Sequence, residues 1–270
     1  MAATRAVDKA ARPAAAAFEL LHNFSLVHDD IEDDSPTRHG RPTVWMLWGR
    51  ANAINAGDAL FALAYGAMQR LPIPPEIALK VWGIFNATNI ELTRGQHMDM
   101  RFEKQKNVSV DEYISMIRGK SAALVAACAQ IGALIGSQDD ETAAHFAEFG
   151  LNLGLGFQIR DDILGIWGDP AVTGKSAATD ILSRKKSLPV LYGLGQSAEL
   201  VELYGREPFG QEEVNAAVSI LDAVGAQATT IAYETRFYNQ AIEALERATP
   251  QGTAAVGLRK LTESLFQRAY

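Results

Sequence analysis

The stretch Leu21–Pro42, LHNFSLVHDDIEDDSPTRHGRP, constrains this 270-residue chain more than any other. An apolar helical stripe, Leu20, Leu21, Phe24 and Val27, leads into Asp29, Asp30, Asp33 and Asp34, four aspartates within six residues. On a helix Asp29 and Asp33 share one face, with Cβ atoms about 5–6 Å apart. Like charges at that spacing repel, and aspartate is a poor helix former. A helix that carries this cost suits cations held between the carboxylates. All-oxygen donors favour Mg²⁺, which keeps several waters and bridges one or two carboxylates to substrate phosphates. Taken alone, the stretch is also compatible with a plain helix end bearing solvated acids.

A second region answers the first. Gly156–Asp169 reads GFQIRDDILGIWGD, placing Asp161 and Asp162 in an apolar setting. TGKSAATDILSRKKSLP follows, with Lys175, Asp180, Lys185 and Lys186. Each acidic cluster has basic neighbours: Arg38 and Arg41 beside the first, Lys175 and Lys185 beside the second. Carboxylates for Mg²⁺ and cationic side chains for the remaining phosphate oxygens are what a metal–diphosphate site needs.

Composition removes other function classes. With 48% hydrophobic and 21% charged residues the chain can bury a large core, and residues 1–270 read as one domain. A net charge of −7, with no basic run longer than Arg184–Lys186, argues against a nucleic-acid surface and a polybasic membrane tether. Cys128 is the only cysteine, so no internal disulfide exists; in the apolar run Ser121–Ile135 it reads as a buried small hydrophobe. No apolar stretch of roughly eighteen residues escapes a charge or a helix breaker, and the N-terminus lacks a signal-peptide core. The expectation is a cytoplasmic protein without a stable membrane anchor.

The periodicity predicts helices throughout. Met1–Pro13 reads as a helical lead and Ala14–Asp34 as the first long helix, stopped by Ser35-Pro36. Thr37–Thr43 is a loop; helices are expected over Trp45–Leu71, Pro75–Lys106, Val110–Ile135 after the cap-like Ser109, a further helix ending near Leu155, and Gly154–Trp167. Leu188–Tyr204, Gln211–Val224, Ala228–Thr249 and Ala254–Tyr270 complete the chain. With no useful strand alternation, the fold class is all-α: a single bundle with its cleft between the two acidic helices.

DDIED followed by TRHGRPT, then FQIRDD, then GK with a downstream D and K, resembles the trans-isoprenyl diphosphate synthases (polyprenyl synthetases), with a likeness to the geranylgeranyl diphosphate synthases. The motifs keep family order and spacing from about Ala14 to the C-terminus. The resemblance implies an isoprenoid-synthase-type bundle with a central active-site cleft, a Mg²⁺ cofactor and a homodimer. It also implies condensation of an allylic diphosphate with isopentenyl diphosphate to a short-chain prenyl diphosphate, C20 or C15. Asp29, Asp30, Asp33, Asp161 and Asp162 would hold metal, and Arg38, Lys120, Lys175 and Lys185 would grip the allylic diphosphate. Ser121 stands where the family usually has threonine, and Gln158 faces the reacting end. His22, His39 and Phe157 belong to the isopentenyl diphosphate side, Gln96 and Asp99 brace the site, and Phe24 limits the depth available to the growing tail.

Most of these positions have a plainer structural account. His22 and His28 could be packing histidines, Lys120 a solvated helix lysine, Lys186 and Asp34 surface charges, and Phe24 and Phe157 ordinary core. The chain also departs from the family pattern. Gly165 replaces the third aspartate of the second motif, and His39 replaces an arginine, which weakens the grip on isopentenyl diphosphate. The GGKR-type motif and two or three N-terminal helices have no counterpart, so the sequence reads as a truncated form. These departures keep two alternatives open: a class I terpene cyclase that ionises a prenyl diphosphate without elongation, and a non-catalytic partner subunit of a prenyl synthase.

Overall fold

The computed structural model describes residues 2–105, 107–168 and 178–266. The described chain is helical apart from one small hairpin. Helix α1 spans Ala2–Glu32, followed by strands β1 (Thr37–Arg38) and β2 (Arg41–Pro42), then α2 (Val44–Trp48), α3 (Arg50–Met68) and α4 (Pro75–Lys104). Next come α5 (Val110–Ile117), a π-helical segment over Arg118–Ala122, α6 (Ala123–Ser137), α7 (Asp140–Trp167) and the short α8 (Thr179–Leu182). Helices α9 (Leu188–Gln196), α10 (Ala198–Tyr204), α11 (Gln211–Ala223), α12 (Ala226–Arg247) and α13 (Gly252–Phe266) finish it. The all-α expectation holds.

Two compact units are present, Met1–Ile84 with Ile131–Asp140, and Phe85–Gln130 with Glu141–Tyr270. In the first, α1 packs along α3. Helix α1 buries Ala14, Ala17, Phe18 and Leu21 at helical spacing, and α3 buries Ala53, Gly57, Ala64 and Met68. Gly57 is required by this packing: a Cβ there would lie 2.2 Å from the ring of His28. In the second unit one core gathers Tyr113, Ile117, Leu155, Ile159, Ile163 and Phe237, and another gathers Ile166, Ile181, Val190, Leu200 and Leu221. Each such aliphatic side chain contributes roughly 1.5–3 kcal/mol on burial.

Several boundaries differ from the periodicity reading, each for a local reason. Helix α1 runs through Pro13 to Ala2, because the surrounding alanines are strong helix formers and offset the lost hydrogen bond. Gly49, at φ 80°, separates α2 from α3 where one helix was expected. Helix α7 is continuous, so its glycines at 150, 154 and 156 serve packing and not termination. Ser197 divides Leu188–Tyr204 by capping α10, its hydroxyl accepting from Leu200 N–H at 3.1 Å. The Ser109 cap is confirmed as a reciprocal capping box with Glu112. Cys128 is exposed on α6, correcting its placement in the core. By length and composition Val110–Ser137 could cross a membrane, yet Ile117, Ala122 and Ala127 within it are buried in the protein.

The helical register breaks at the π segment, where Ala123 N–H reaches back to Arg118 C=O. Here α4 and the π segment touch backbone to backbone. A Cβ on Gly95 would lie 2.1 Å from Lys120 N, and one on Gly119 would lie 2.7 Å from Glu91 O. Gly95→Ala or Gly119→Ala is therefore expected to destabilise the protein by about 1–3 kcal/mol through overpacking. Gly83→Ala, which meets nothing within 4 Å, should be neutral or slightly stabilising in the same urea-unfolding experiment.

Candidate active site

The first acidic cluster occupies the last turn of α1. Asp34 adopts φ 52°, Ser35 N–H bonds Asp30 C=O at 2.9 Å, and Asp34 N–H bonds Ile31 C=O at 3.5 Å. This is a Schellman ending with aspartate in the left-handed position, and Pro36 blocks any continuation. The helix dipole is negative at this end, so the carboxylates add charge where cations are favoured. Arg38 supplies one cation, with Nε 2.8 Å from Asp30 and a terminal nitrogen 3.4 Å from Asp29. Arg50 supplies another, pairing with Asp34 and donating to Ile31 C=O at 3.0 Å. Asp30 is buried, Asp29 half-buried and Asp33 exposed.

Arg38 is delivered by the hairpin. His39 and Gly40, at φ 50° and 72°, form the two-residue turn between β1 and β2, the geometry that matches strand twist. Thr43 anchors the return, its hydroxyl donating to Ser35 C=O at 2.9 Å; Trp45 Nε1 donates to the same carbonyl at 2.8 Å. Thr37–Thr43 is thus a hairpin where a loop was expected. The same hairpin places the His39 side chain in the exposed turn.

The second cluster is built on α7, α4 and the π segment. Asp161 is exposed and Asp162 fully buried, since successive residues on a helix point about 100° apart. Asp162 Oδ2 accepts from Tyr113 OH at 2.5 Å and from Leu188 N–H at 3.1 Å. It therefore caps the N-terminus of α9, where Ser187 makes no side-chain cap bond. Burial pushes the Asp162 pKa up to about 6, against the Lys185 ammonium and the bonds from Tyr113 and Leu188. Burial, followed by the Asp162 charge, holds the Tyr113 phenol well above its usual range.

Beside this network Lys120 Nζ lies 2.5 Å from Asp99, and Ser121 donates to Gln158 at 2.8 Å. Gln158 Nε2 lies 3.5 Å from Asp162 Oδ1. Close approach of α7 to the π segment and α6 brings Gln158 to Ser121: a Cβ on Gly154 would meet Ala122 Cα at 2.7 Å, and one on Gly150 would meet Val125 O at 2.6 Å. Desolvation opposes the charge of Lys185, whose residue as a whole is exposed. The carboxylates of Asp180, Asp162 and Asp99 outweigh that effect and raise its pKa above the lysine norm.

Of the residues singled out from sequence, the structure joins Asp29, Asp30 and Arg38 in one set. It joins Asp99, Lys120, Ser121, Gln158, Asp162 and Lys185 in another. Asp162, expected to present its carboxylate to a metal, is an interior cap. Arg38, expected on a diphosphate, is paired with carboxylates. Lys175 lies outside the described residues. His22 is exposed, which removes the core-histidine account, whereas His28 is a packing residue set edge-to-face against Phe24 with Nε2 3.2 Å from Ile54 O. Phe24 also packs on Phe61, and Phe157 is half-buried. Lys186 is not a surface charge. It donates to the carbonyls of Phe102 and Gln105 and closes the end of α4.

Sequence reasoning missed Tyr113, Lys186, Gly95 and Gly119. Nothing local marks a tyrosine as the donor to an aspartate 49 positions away. The pair Gly95 and Gly119, inside strongly helical stretches, was the one legible hint. The donor set suits a hard divalent ion: the acids are all carboxylates, gathered where the α1 dipole is negative. Among the described residues no three of His, Cys, Asp and Glu converge as a ready-made cage. An ion that draws on one or two carboxylates and on substrate phosphates needs none.

A family model described as polyprenyl synthetase matches residues 1–221. The chain is 38% identical over 264 residues to the (2E,6E)-farnesyl diphosphate synthase of Mycobacterium tuberculosis, covering 95% of this chain and 73% of that one. A crystal structure of geranylgeranyl pyrophosphate synthetase from Pyrococcus horikoshii superposes with a TM-score of 0.90 at 35% identity, covering 96% of this chain and 80% of that one. The geranylgeranyl pyrophosphate synthase of Corynebacterium glutamicum, complexed with isoprenyl diphosphate and magnesium, has a TM-score of 0.86 at 27% identity, covering 96% and 80%. With its acidic helix ends, its paired cations and these matches, the chain belongs to the polyprenyl synthetase family.

Proposed function

We propose that this protein is a Mg²⁺-dependent prenyltransferase. It condenses an allylic diphosphate with isopentenyl diphosphate and releases a short-chain prenyl diphosphate, C20 with C15 as the near alternative. The observation that carries the reading is the acidic last turn of α1 with Arg38 seated on Asp29 and Asp30. Asp29 and Asp33 would hold metal in the first unit, and Asp161 would hold metal in the second. Asp30 and Asp162 are buried and hydrogen-bonded, so they act as supports that orient Arg38, Gln158 and α9. Bound there, Mg²⁺ supplies positive charge to the diphosphate oxygens as the allylic C–O bond breaks.

Arg38 in the first unit, and Lys120, Lys185 and, by resemblance, Lys175 in the second, are the cations assigned to diphosphate oxygens. Asp99 holds Lys120 extended from the π segment, and Ser121 fixes the amide of Gln158. The aromatic series Phe24, Phe61, Tyr65 and Trp82, with ring centroids 5.0, 5.1 and 5.6 Å apart in turn, offers the growing tail an apolar wall that excludes water. His22, His39 and Phe157 are assigned to isopentenyl diphosphate. A homodimer fits the apolar side chains left outside on the first unit: Met46, Leu47, Trp48, Ile54 and Leu63, each 45–62% exposed. The whole chain acts as one functional domain, and the reading places it in the cytoplasm.

A product assay with Mg²⁺, an allylic diphosphate, and isopentenyl diphosphate present or withheld tests the reading. Prenyl diphosphates formed only with both substrates support it. A hydrocarbon or alcohol released from the allylic diphosphate alone would make the protein a cyclase. Asp29→Ala or Asp161→Ala should lower turnover by about 10³-fold or more, as when a transition-state charge clamp is lost; near-normal rates would refute the metal assignment. Phe24→Ala removes the ring that packs on His28 and Phe61 and should lengthen the product, a change read directly by chromatography.

A further inference from the structure

Gly165 follows Asp161 by one helical turn, so both positions lie on the same face of α7. It ends nothing, since α7 continues to Trp167. What its missing side chain does is make room. A Cβ at position 165 would lie 2.5 Å from Oδ2 and 2.7 Å from Cγ of Asp180. The carboxylate of Asp180, carried in by α8, therefore rests on the α7 backbone in the space that any other residue at 165 would fill.

The local chain holds it there. Arg184 adopts φ 53°, and Lys185 N–H bonds the Asp180 carbonyl at 2.9 Å, folding the segment after α8 back on itself. The Lys185 ammonium feels Asp180, Asp162 and Asp99 together. Lys120 answers Asp99, and Tyr113 with the Leu188 N–H answers Asp162, so Asp180 is the acid of this group that stands on the Asp161 face of α7.

We infer that Asp180 is the second acid of the α7 cluster: the glycine at 165 seats its carboxylate one turn beyond Asp161, and the two carboxylates serve the same divalent ion. This inference rests on the metal–diphosphate reading above. It gives α7 a pair equivalent in spacing to Asp29 and Asp33 on α1, with one member delivered from a separate segment. Asp162 cannot fill that place, because its Oδ2 is committed to Tyr113 and Leu188 in the interior.

The test is calorimetric titration of inorganic diphosphate into the full chain over a range of Mg²⁺ concentrations, with unfolding temperatures recorded with and without Mg²⁺. Asp180→Asn should raise the Mg²⁺ needed for half-maximal diphosphate binding by about tenfold or more, while leaving the metal-free unfolding temperature near wild type. Gly165→Ala should do the same by displacing the carboxylate, and Gly165→Ala combined with Asp180→Gly should be no worse than either alone. Gly165→Asp with Asp180→Gly returns the acid to α7 and should recover most of the affinity; failure to recover counts against the inference even if Asp180→Asn does not fold. An unchanged Mg²⁺ requirement in Asp180→Asn, or an equal loss of stability with and without Mg²⁺, overturns it. If the wild type binds diphosphate with no dependence on Mg²⁺, the metal reading falls and takes this inference with it. If the wild type shows the dependence and Asp180→Asn keeps it, only the inference falls.

Discussion

Negative charge concentrated at the C-terminal end of a helix is the constraint around which the end of α1 is built. The dipole already makes that end unfavourable for anions, and Asp29, Asp30, Asp33 and Asp34 all lie there. Two arginines answer it, one from the hairpin and one from the start of α3. The hairpin is no decoration on a helical protein: its left-handed turn at His39 and Gly40 sends the chain back so that Arg38 can reach Asp30.

The second unit solves a different problem, that of placing polar groups inside an apolar core. Asp162 is fully buried yet hydrogen-bonded by a phenol and a helix N-terminus, which offset part of its desolvation. Glycines make the geometry possible. Gly95 and Gly119 bring α4 against the π segment, and Gly150 and Gly154 bring α7 against α6 and the π segment. Lys120, Ser121 and Gln158 then come within bonding distance of their partners without any long excursion of the side chains. The π turn adds the local register change that such close crossings accommodate.

Much of this was legible beforehand. The all-α class follows from helical periodicity without strand alternation, and the acid and base motifs point to a divalent ion and a diphosphate by residue type and spacing alone. The Asp161–Asp162 pair shows where that legibility stops. The two residues are identical in type and adjacent in sequence, yet one faces out and one is interior, because helix rotation and the partners waiting on α5 and α9 decide their environments. Lys185 and Lys186 divide in the same way: the first stays among carboxylates, and the second turns to cap α4.

By itself the sequence determined which elements would be helical, where α1 must stop and which residue types could meet a metal and a diphosphate, since propensity, proline and charge spacing act over a few residues. Only the tertiary structure decided that Arg38 pairs with Asp29 and Asp30, that Tyr113 serves Asp162, and that the space at Gly165 belongs to Asp180. The physical reason is range. Local pattern sets backbone conformation, whereas desolvation, close packing and hydrogen-bond satisfaction depend on neighbours that sequence distance does not reveal.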